Sequence, residues 1–223
     1  MSFFTTLQAQ TAADRELLMN SSLVQGALAG ELDRDTYVAF LIQAYHHVKH
    51  TTPLLMAAGS RIPGDKEWLR SALAEYVEEE LGHQEWILND IRACGYDAEL
   101  VRTGLPNPAT ELMVAYAYHV IDRVNPVGFF GMVHVLEGTS VSVADKAAEC
   151  IAQSTGYGPN AFSYLRSHGA LDIEHVKFFE NLMNRIEMRD DQEAILHCAH
   201  MFYRLYGDVY DSIGPDQARS LAA

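Results

Sequence analysis

The segment Ser167–His175 reads SHGALDIEH and spaces two histidines and an aspartate as a helix would. His168, Asp172 and His175 are four and seven residues apart, so on an α-helix they project within roughly 60° of one another. Two imidazoles and a carboxylate that converge from one face form a ligand set suited to iron, manganese or zinc. The spacing therefore predicts a helix that carries part of a metal site.

The same face of that helix continues with apolar residues, namely Leu171, Phe179, Leu182 and Ile186. The polar groups are therefore predicted to point toward the interior, where burying them is costly unless a partner satisfies them. A bound metal would satisfy all three. A simpler alternative stays open, in which Asp172 only hydrogen-bonds a histidine on a polar helix face.

Composition and charge limit the classes of function. Of the 223 residues, 48% are apolar. No stretch approaches the ~20 consecutive apolar residues of a membrane span. The first residues do not resemble a signal peptide. A net charge of −14 disfavours nucleic acid and anionic membranes as partners. Three widely spaced cysteines, Cys94, Cys150 and Cys198, suit a reducing compartment, so we expect a cytoplasmic protein.

Helical periodicity dominates the chain, and no alternating pattern typical of a strand stands out. We predict one all-α domain spanning 1–223, a bundle of about seven helices. The predicted features include a first helix over Phe3–Met19, a helix from Asp33 or Asp35 through Leu55, a helix from Gly64 through Ile91, a long loop at Leu105–Pro108, and a break at Asn125-Pro126.

A carboxylate and an imidazole lie on the inner stripe of the helix predicted from Gly64. Its apolar positions recur in steps of three and four; Glu80 and His83 fall on this stripe, whereas Glu78 and Glu79 fall off it. Glu-x-x-His is the spacing that bundle metalloproteins use for iron and manganese. So short a pattern also recurs by chance, and a charged helix face with one satisfied histidine remains an alternative.

Glu137 is an isolated carboxylate on an apolar helix face. Its neighbours at helical spacing are Phe130, Val133, Val141 and Ala144. A carboxylate there should take up a proton or bind a cation, unless it points outward or pairs with an arginine. Gly131 and Gly138 beside it are predicted to let another helix approach closely.

Three separate helices thus place ligand-type residues on otherwise apolar stripes. The set comprises Glu80, His83, Glu137, His168, Asp172 and His175. Three carboxylates and three imidazoles are what two non-heme iron ions need with positions left open for O2, and manganese accepts the same donors. His47, on the helix before Leu55, is a possible further ligand or a group that orients a carboxylate, with a satisfied core histidine as the simpler alternative.

With these residues the sequence resembles the heme-oxygenase-like dimetal oxidases and oxygenases, often described as iron-containing redox enzymes. That family carries a carboxylate and a histidine on one helix, a lone Glu on a later helix, and then His-x-x-x-Asp-x-x-His. The six residues above match this order over roughly residues 35–185. The resemblance implies the heme-oxygenase-like all-α fold shared with thiaminase II (TenA) and the pyrroloquinoline-quinone synthesis oxidase (PqqC).

The expected function is that of a dinuclear non-heme iron oxidase or oxygenase, which uses O2 as co-substrate to oxidise a small organic molecule. Tyr76, Phe130 and Phe179 suggest a partly apolar substrate pocket. Electrons would come from an external donor. A homodimer is possible, because two-fold dimers are the commonest soluble oligomers.

Two other functions remain open on the same fold. One is a metal-free enzyme of the TenA or PqqC kind that acts on a heterocyclic substrate such as a thiamin or quinone precursor. Against it, no nucleophile set can be assembled around the three cysteines, and few basic residues are predicted to face inward. The other is a binding module for a tetrapyrrole, with histidines as axial or polar contacts.

Overall fold

The computed structural model describes residues 2–219, and within two helices it describes the backbone alone at residues 140–142 and 168–175. Over this range the chain is all-helical, as predicted. Its thirteen α-helices are α1 (Phe3–Gln10), α2 (Ala12–Met19), α3 (Ser22–Ala29), α4 (Arg34–Val48), α5 (Thr51–Arg61), α6 (Glu67–Glu80), α7 (His83–Ala93), α8 (Ala98–Thr103), α9 (Pro108–His119), α10 (Phe130–Thr155), α11 (Ser163–Asn184), α12 (Arg189–Asp211) and α13 (Asp216–Arg219).

The bundle is organised around α10, which packs against both α11 and α12, while α4 packs against α7 and α5 against α6. Two hydrophobic clusters fill the interior. The larger contains Phe130 and Phe202, both fully buried, and the smaller is centred on the rings of Tyr37 and Phe162, which stack 5.1 Å apart. The candidate ligands described below lie where these packed helices meet.

Among the described residues, no single helix is long and apolar enough to cross a membrane. Only the bent pair Pro126–Thr139 and Val143–Thr155 meets that test of length and composition together.

Three helices predicted as continuous are interrupted, and two short helices, α8 and α13, were not predicted, so the count exceeds seven. The predicted Phe3–Met19 helix breaks at Thr11, whose hydroxyl donates to the Leu7 carbonyl at 2.8 Å and competes with the backbone ladder. The helix predicted through Leu55 breaks between α4 and α5. Pro53 explains this break, because it has no N–H and its ring clashes with the preceding turn.

The third interruption lies inside the predicted metal-binding helix. α6 ends at Glu80 and α7 begins at His83, so the two candidate ligands do not share one helix. Gly82 between them takes φ +93°, a left-handed conformation that costs glycine little. The predicted inner stripe still faces inward on both sides of the break, since Tyr76 is 1% exposed and Ile87 fully buried.

The other predicted boundaries are confirmed. The Asp33 carboxylate caps α4 by accepting a hydrogen bond from the Thr36 backbone N–H at 2.8 Å. Asn107, in the predicted loop, caps α9, with Pro108 at the first helical position. The backbone leaves the helical path at Asn125, after a π-helical turn, Val120–Val124.

The start of α11, the helix that carries the Ser167–His175 segment, is anchored to α7. Buried Asp90 accepts hydrogen bonds from the backbone N–H groups of Ser163 at 3.0 Å and Tyr164 at 2.8 Å. These donors belong to the first turn of α11, where helix N–H groups have no partner within the helix. Asp90 therefore caps α11 from a neighbouring element and fixes where that helix begins.

Candidate metal centre

Three of the candidate ligands line one small cavity inside the bundle. Glu80 at the end of α6, Glu137 on α10 and His47 on α4 all border a space of about 100 Å³. Most of the remaining wall is apolar and comes from α5, from the turn before α10 and from α10 itself, including Leu54, Leu55, Phe129, Met132 and Val133. Carboxylate and imidazole donors from non-adjacent parts of the chain therefore meet in a largely apolar enclosure.

Glu80 and His83 contact each other across the Gly82 break. The Glu80 Oε2 and His83 Nδ1 atoms are 2.9 Å apart, and their side chains are 14% and 5% exposed. The neighbouring Glu78 and Glu79 are exposed, as the stripe predicts. The inward pair of the sequence pattern is thus an inward pair in space, although a bent connection rather than one helix produces it.

The hydroxyl of Tyr76 is a buried polar group on the same cavity wall. It makes no hydrogen bond within the part of the chain that the structure describes. Burial raises the pKa of Tyr76 far above its ordinary value, and the nearby carboxylates of Glu137, Glu79 and Glu80 raise it further. A protonated phenol beside two inward carboxylates can donate a hydrogen bond to a carboxylate or to a bound molecule.

The remaining predicted ligands, His168, Asp172 and His175, lie outside the described side chains, although their backbone belongs to α11. Among the side chains that are described, no group of three or more histidine, cysteine, aspartate or glutamate residues is arranged to hold a metal ion. The donors around the small cavity are nevertheless of the type that iron and manganese accept. The described residues therefore fit part of a metal site.

A second, larger cavity of about 600 Å³ also has Glu137 among its lining residues. It is bordered by α1, α2, α10, α11 and α12, and we call it the chamber. Its described lining residues are Phe4, Gln8, Thr11, Ala12, Arg15, Glu16, Met19, His134, Glu137, Gly138, Val176, Phe179 and Tyr203. Among the described lining residues, Glu137 is the one that borders both cavities.

The three residues predicted to line a substrate pocket occupy three different places. Tyr76 borders the small cavity and Phe179 the chamber. Phe130 is fully buried, packs on Phe179 with ring centroids 6.4 Å apart, and is not among the described lining residues of either cavity.

His134 lines the chamber, although sequence reasoning left it out of any site. It is 8% exposed, and burial together with the charge of Arg15 lowers its pKa to about 4. Its position three residues before Glu137 puts it on the same face of α10. That spacing was the signal that could have identified it.

The profile of a family described as iron-containing redox enzymes matches residues 38–207, about three quarters of the chain. The chain belongs to the iron-containing redox enzyme family. Its members are enzymes, so the prediction of a redox enzyme class is confirmed at this level. No curated protein is significantly similar to the chain in sequence.

Solved structures confirm the heme-oxygenase-like fold of this family member. A domain with that fold from Shewanella denitrificans is 22% identical, covers 99% of this chain and 96% of its own, and superposes with a TM-score of 0.86. A TenA homologue from Pseudomonas syringae is 12% identical, with coverage of 94% and 91% and a TM-score of 0.77. Heme oxygenase-1 from the cyanobacterium Synechocystis, solved with heme, is 12% identical, with coverage of 99% and 96% and a TM-score of 0.75.

The cysteines of this family member are poor nucleophiles where the structure buries them. Burial raises the pKa of both the Cys94 and Cys198 thiols to about 12. A thiolate is the reactive form of cysteine, and at neutral pH almost none would be present at either position. Cys150 is half-buried on α10.

Proposed function

We propose that this protein is a dinuclear non-heme iron enzyme that uses O2 to oxidise a small, partly apolar organic substrate. The observation that carries the proposal is the meeting of Glu80, Glu137 and His47 around one largely apolar cavity. The family assignment supports it, because that family is described as iron-containing. Residues that would hold the ions are Glu80, His83, Glu137, His168, Asp172 and His175, with His47 as a further ligand or an orienting group.

The chemistry that two bound iron ions supply is the reduction and activation of O2, for which an external electron donor is part of the proposal. The protein contributes geometry and the exclusion of water. Leu54, Leu55 and Phe129 line the cavity with apolar surface, which strengthens electrostatic interactions within it. Tyr76 keeps its proton at neutral pH, so its hydroxyl can orient a carboxylate ligand or a bound oxygen atom of the substrate.

Counting metals in purified protein tests the proposal. After expression in iron-supplemented medium, elemental analysis should find about two iron ions per chain, or manganese in their place. Glu80→Ala, Glu137→Ala and Asp172→Ala should each lower the metal content and abolish O2 consumption in the presence of a reductant. Glu78→Ala is the matched control, because Glu78 belongs to the same acidic run but is exposed. Stoichiometric metal in all three ligand variants would defeat the assignment.

A metal-free enzyme of the TenA kind is the first alternative, because a TenA homologue shares the fold. The raised pKa values of Cys94 and Cys198 argue against thiolate chemistry at those positions. A full turnover of a heterocyclic substrate by protein that elemental analysis finds free of metal would favour this alternative over ours.

A tetrapyrrole-binding module is the second alternative, because heme oxygenases share the fold and the chamber contains His134. His134 Nε2 lies 3.2 Å from the Thr11 hydroxyl, so an axial role for that atom would require breaking this contact. A Soret band on addition of heme to protein that contains no other iron, and its loss in His134→Ala, would favour this alternative.

A further inference from the structure

The chamber has an apolar floor and a charged rim. Phe4, Phe179 and Tyr203 form the floor and are at most 8% exposed. Arg15 and Glu16 on α2 are exposed and border the opening. A cavity of about 600 Å³ with this distribution suits a small organic molecule whose body is buried and whose polar end stays near solvent.

His134 completes the floor as a neutral aromatic ring. Its ring stacks with Phe179 at 6.0 Å between centroids and meets Tyr203 edge-on at 6.1 Å. The contact between its Nε2 atom and the Thr11 hydroxyl, 3.2 Å long, fixes the ring orientation. With a pKa of about 4, the imidazole carries no charge at neutral pH, so the floor favours an uncharged apolar group.

Arg15 is the rim residue whose positive charge affects the pKa values of residues on the chamber floor. Its guanidinium makes no ion pair within residues 2–219 where side chains are described. Its charge lowers the pKa of His134 and opposes the rise that burial causes at Tyr203. Asp14, which also acts on Tyr203, is held 2.6 Å from His200. Among the described lining residues of the chamber, Arg15 is the one cation, whereas Glu16 and Glu137 supply carboxylates. An anionic group of an occupant is therefore attracted to the rim at Arg15 and disfavoured beside Glu137.

Glu137 connects the chamber to the candidate metal centre. Because this carboxylate borders both cavities, a molecule seated on the chamber floor lies against the wall that carries a proposed metal ligand.

We propose that the chamber is the substrate site and that it takes a molecule with an apolar body and one anionic head group, such as a carboxylate, held at the rim by Arg15. Naming the occupant a substrate rests on the proposed function, whereas the preference for an anionic amphiphile rests on the chamber alone.

Two fluorescent probes that differ only in charge test this proposal. Anilinonaphthalene sulfonate is anionic, and phenylnaphthylamine has the same ring system without the sulfonate. Both are titrated into the purified full chain, and its metal content is measured in parallel. We expect one site per chain for each probe and tighter binding of the anionic one.

Variants at two neighbouring rim residues, Arg15 and Glu16, test how probe affinity depends on the charge of the rim. Arg15→Ala should weaken the anionic probe on the order of fivefold to tenfold and leave the neutral probe unchanged. Glu16→Ala is the matched control and should not weaken either probe. Equal affinity of Arg15→Ala and the unchanged chain for the anionic probe, or an equal loss for both probes, would overturn the proposal.

The location is read from variants that fill the chamber. Gly138 lines the chamber, and a Cβ there meets no described atom within 4 Å, so Gly138→Leu should fill part of the chamber and weaken both probes at least tenfold. Ala12→Trp fills the chamber from α2 and is used if Gly138→Leu fails to fold. Unchanged binding in a folded filling variant would place the probes elsewhere and refute the assignment. A chain that binds neither iron nor manganese would refute the proposed function but leave the anion site standing, so the two failures are distinguishable.

Discussion

Replacing Gly131 with alanine should loosen the contact that holds α10 against α12. A Cβ built at this position lies 2.5 Å from the Ile195 carbonyl oxygen and 2.6 Å from both the Ala199 backbone nitrogen and the Cys198 Cβ. The nearest of these is about 0.9 Å inside the 3.4 Å at which ordinary van der Waals contact begins. Since two of the three atoms are backbone, no side-chain rotation can relieve the overlap, and the helices must separate.

The expected cost follows from that overlap. Overpacking a close-packed core costs about 1–3 kcal/mol, and a clash with backbone belongs at the upper end of this range. Alanine has a better helix propensity than glycine, which offsets about 0.5–1 kcal/mol of this loss of stability. The net loss of unfolding free energy is therefore about 2 kcal/mol, a large fraction of the ~5–15 kcal/mol that stabilises a typical domain.

Urea unfolding followed by far-UV circular dichroism measures this loss. With a slope of about 2 kcal/mol per molar urea, the midpoint of Gly131→Ala should fall by about 1 M. Gly138→Ala is the matched control on the same helix. A Cβ at Gly138 meets no described atom within 4 Å, so the midpoint of this variant should stay or rise slightly. If both variants unfold at the same urea concentration, the close approach at Gly131 is not what holds these helices together.

Three further predictions concern the anchor of α11, the buried histidine and the thiols. Asp90→Ala should lower the unfolding free energy, measured with urea, by about 2–3 kcal/mol, because two backbone N–H groups of α11 lose their acceptor. It should also lower the iron content, because it loosens the helix that carries the Ser167–His175 segment. Between pH 7 and pH 5, His134 takes up a proton in the unfolded chain, where its pKa is near the ordinary 6.5, but not in the folded chain, where its pKa is about 4. Over this pH range the unfolding free energy should therefore fall by about 2 kcal/mol more in the unchanged chain than in His134→Gln. In native protein at pH 8, iodoacetamide should leave Cys94 and Cys198 unmodified, as mass spectrometry would report, and full alkylation of either would contradict their burial.

Much of the fold could be predicted because its signals are local. The Asp33 cap of α4, the Asn107-Pro108 start of α9 and the departure from helix at Asn125-Pro126 each depend on a few adjacent residues. Periodicity also separated the inward Glu80 from the exposed Glu78. The break at Pro53 had an equally local signal and was overlooked, since proline cannot donate the hydrogen bond that would continue the helix.

The break at Gly82 and the role of His134 could not be assigned in the same way. An isolated glycine in a periodic pattern is compatible with a continuous helix, and only the packing of α6 and α7 selects the left-handed conformation. The sequence treats Gly131 and Gly138 alike, whereas the structure presses Gly131 against the backbone of α12 and places Gly138 in the wall of the chamber. His134 shares a helix face with Glu137 through their spacing of three residues, but its place in a cavity depends on α1 and α2, which supply part of the chamber wall.

The contrast between the two glycines explains how α10 can serve both cavities. At Gly131 the helix is pressed against the backbone of α12, which fixes its position and direction. Two turns later, Gly138 borders the chamber, and a Cβ there meets no described atom within 4 Å. Glu137 follows the closely packed turn on the same helix and borders both the small cavity and the chamber. A residue that binds a metal and also contacts the substrate needs this combination of a rigidly held backbone and access to the substrate cavity.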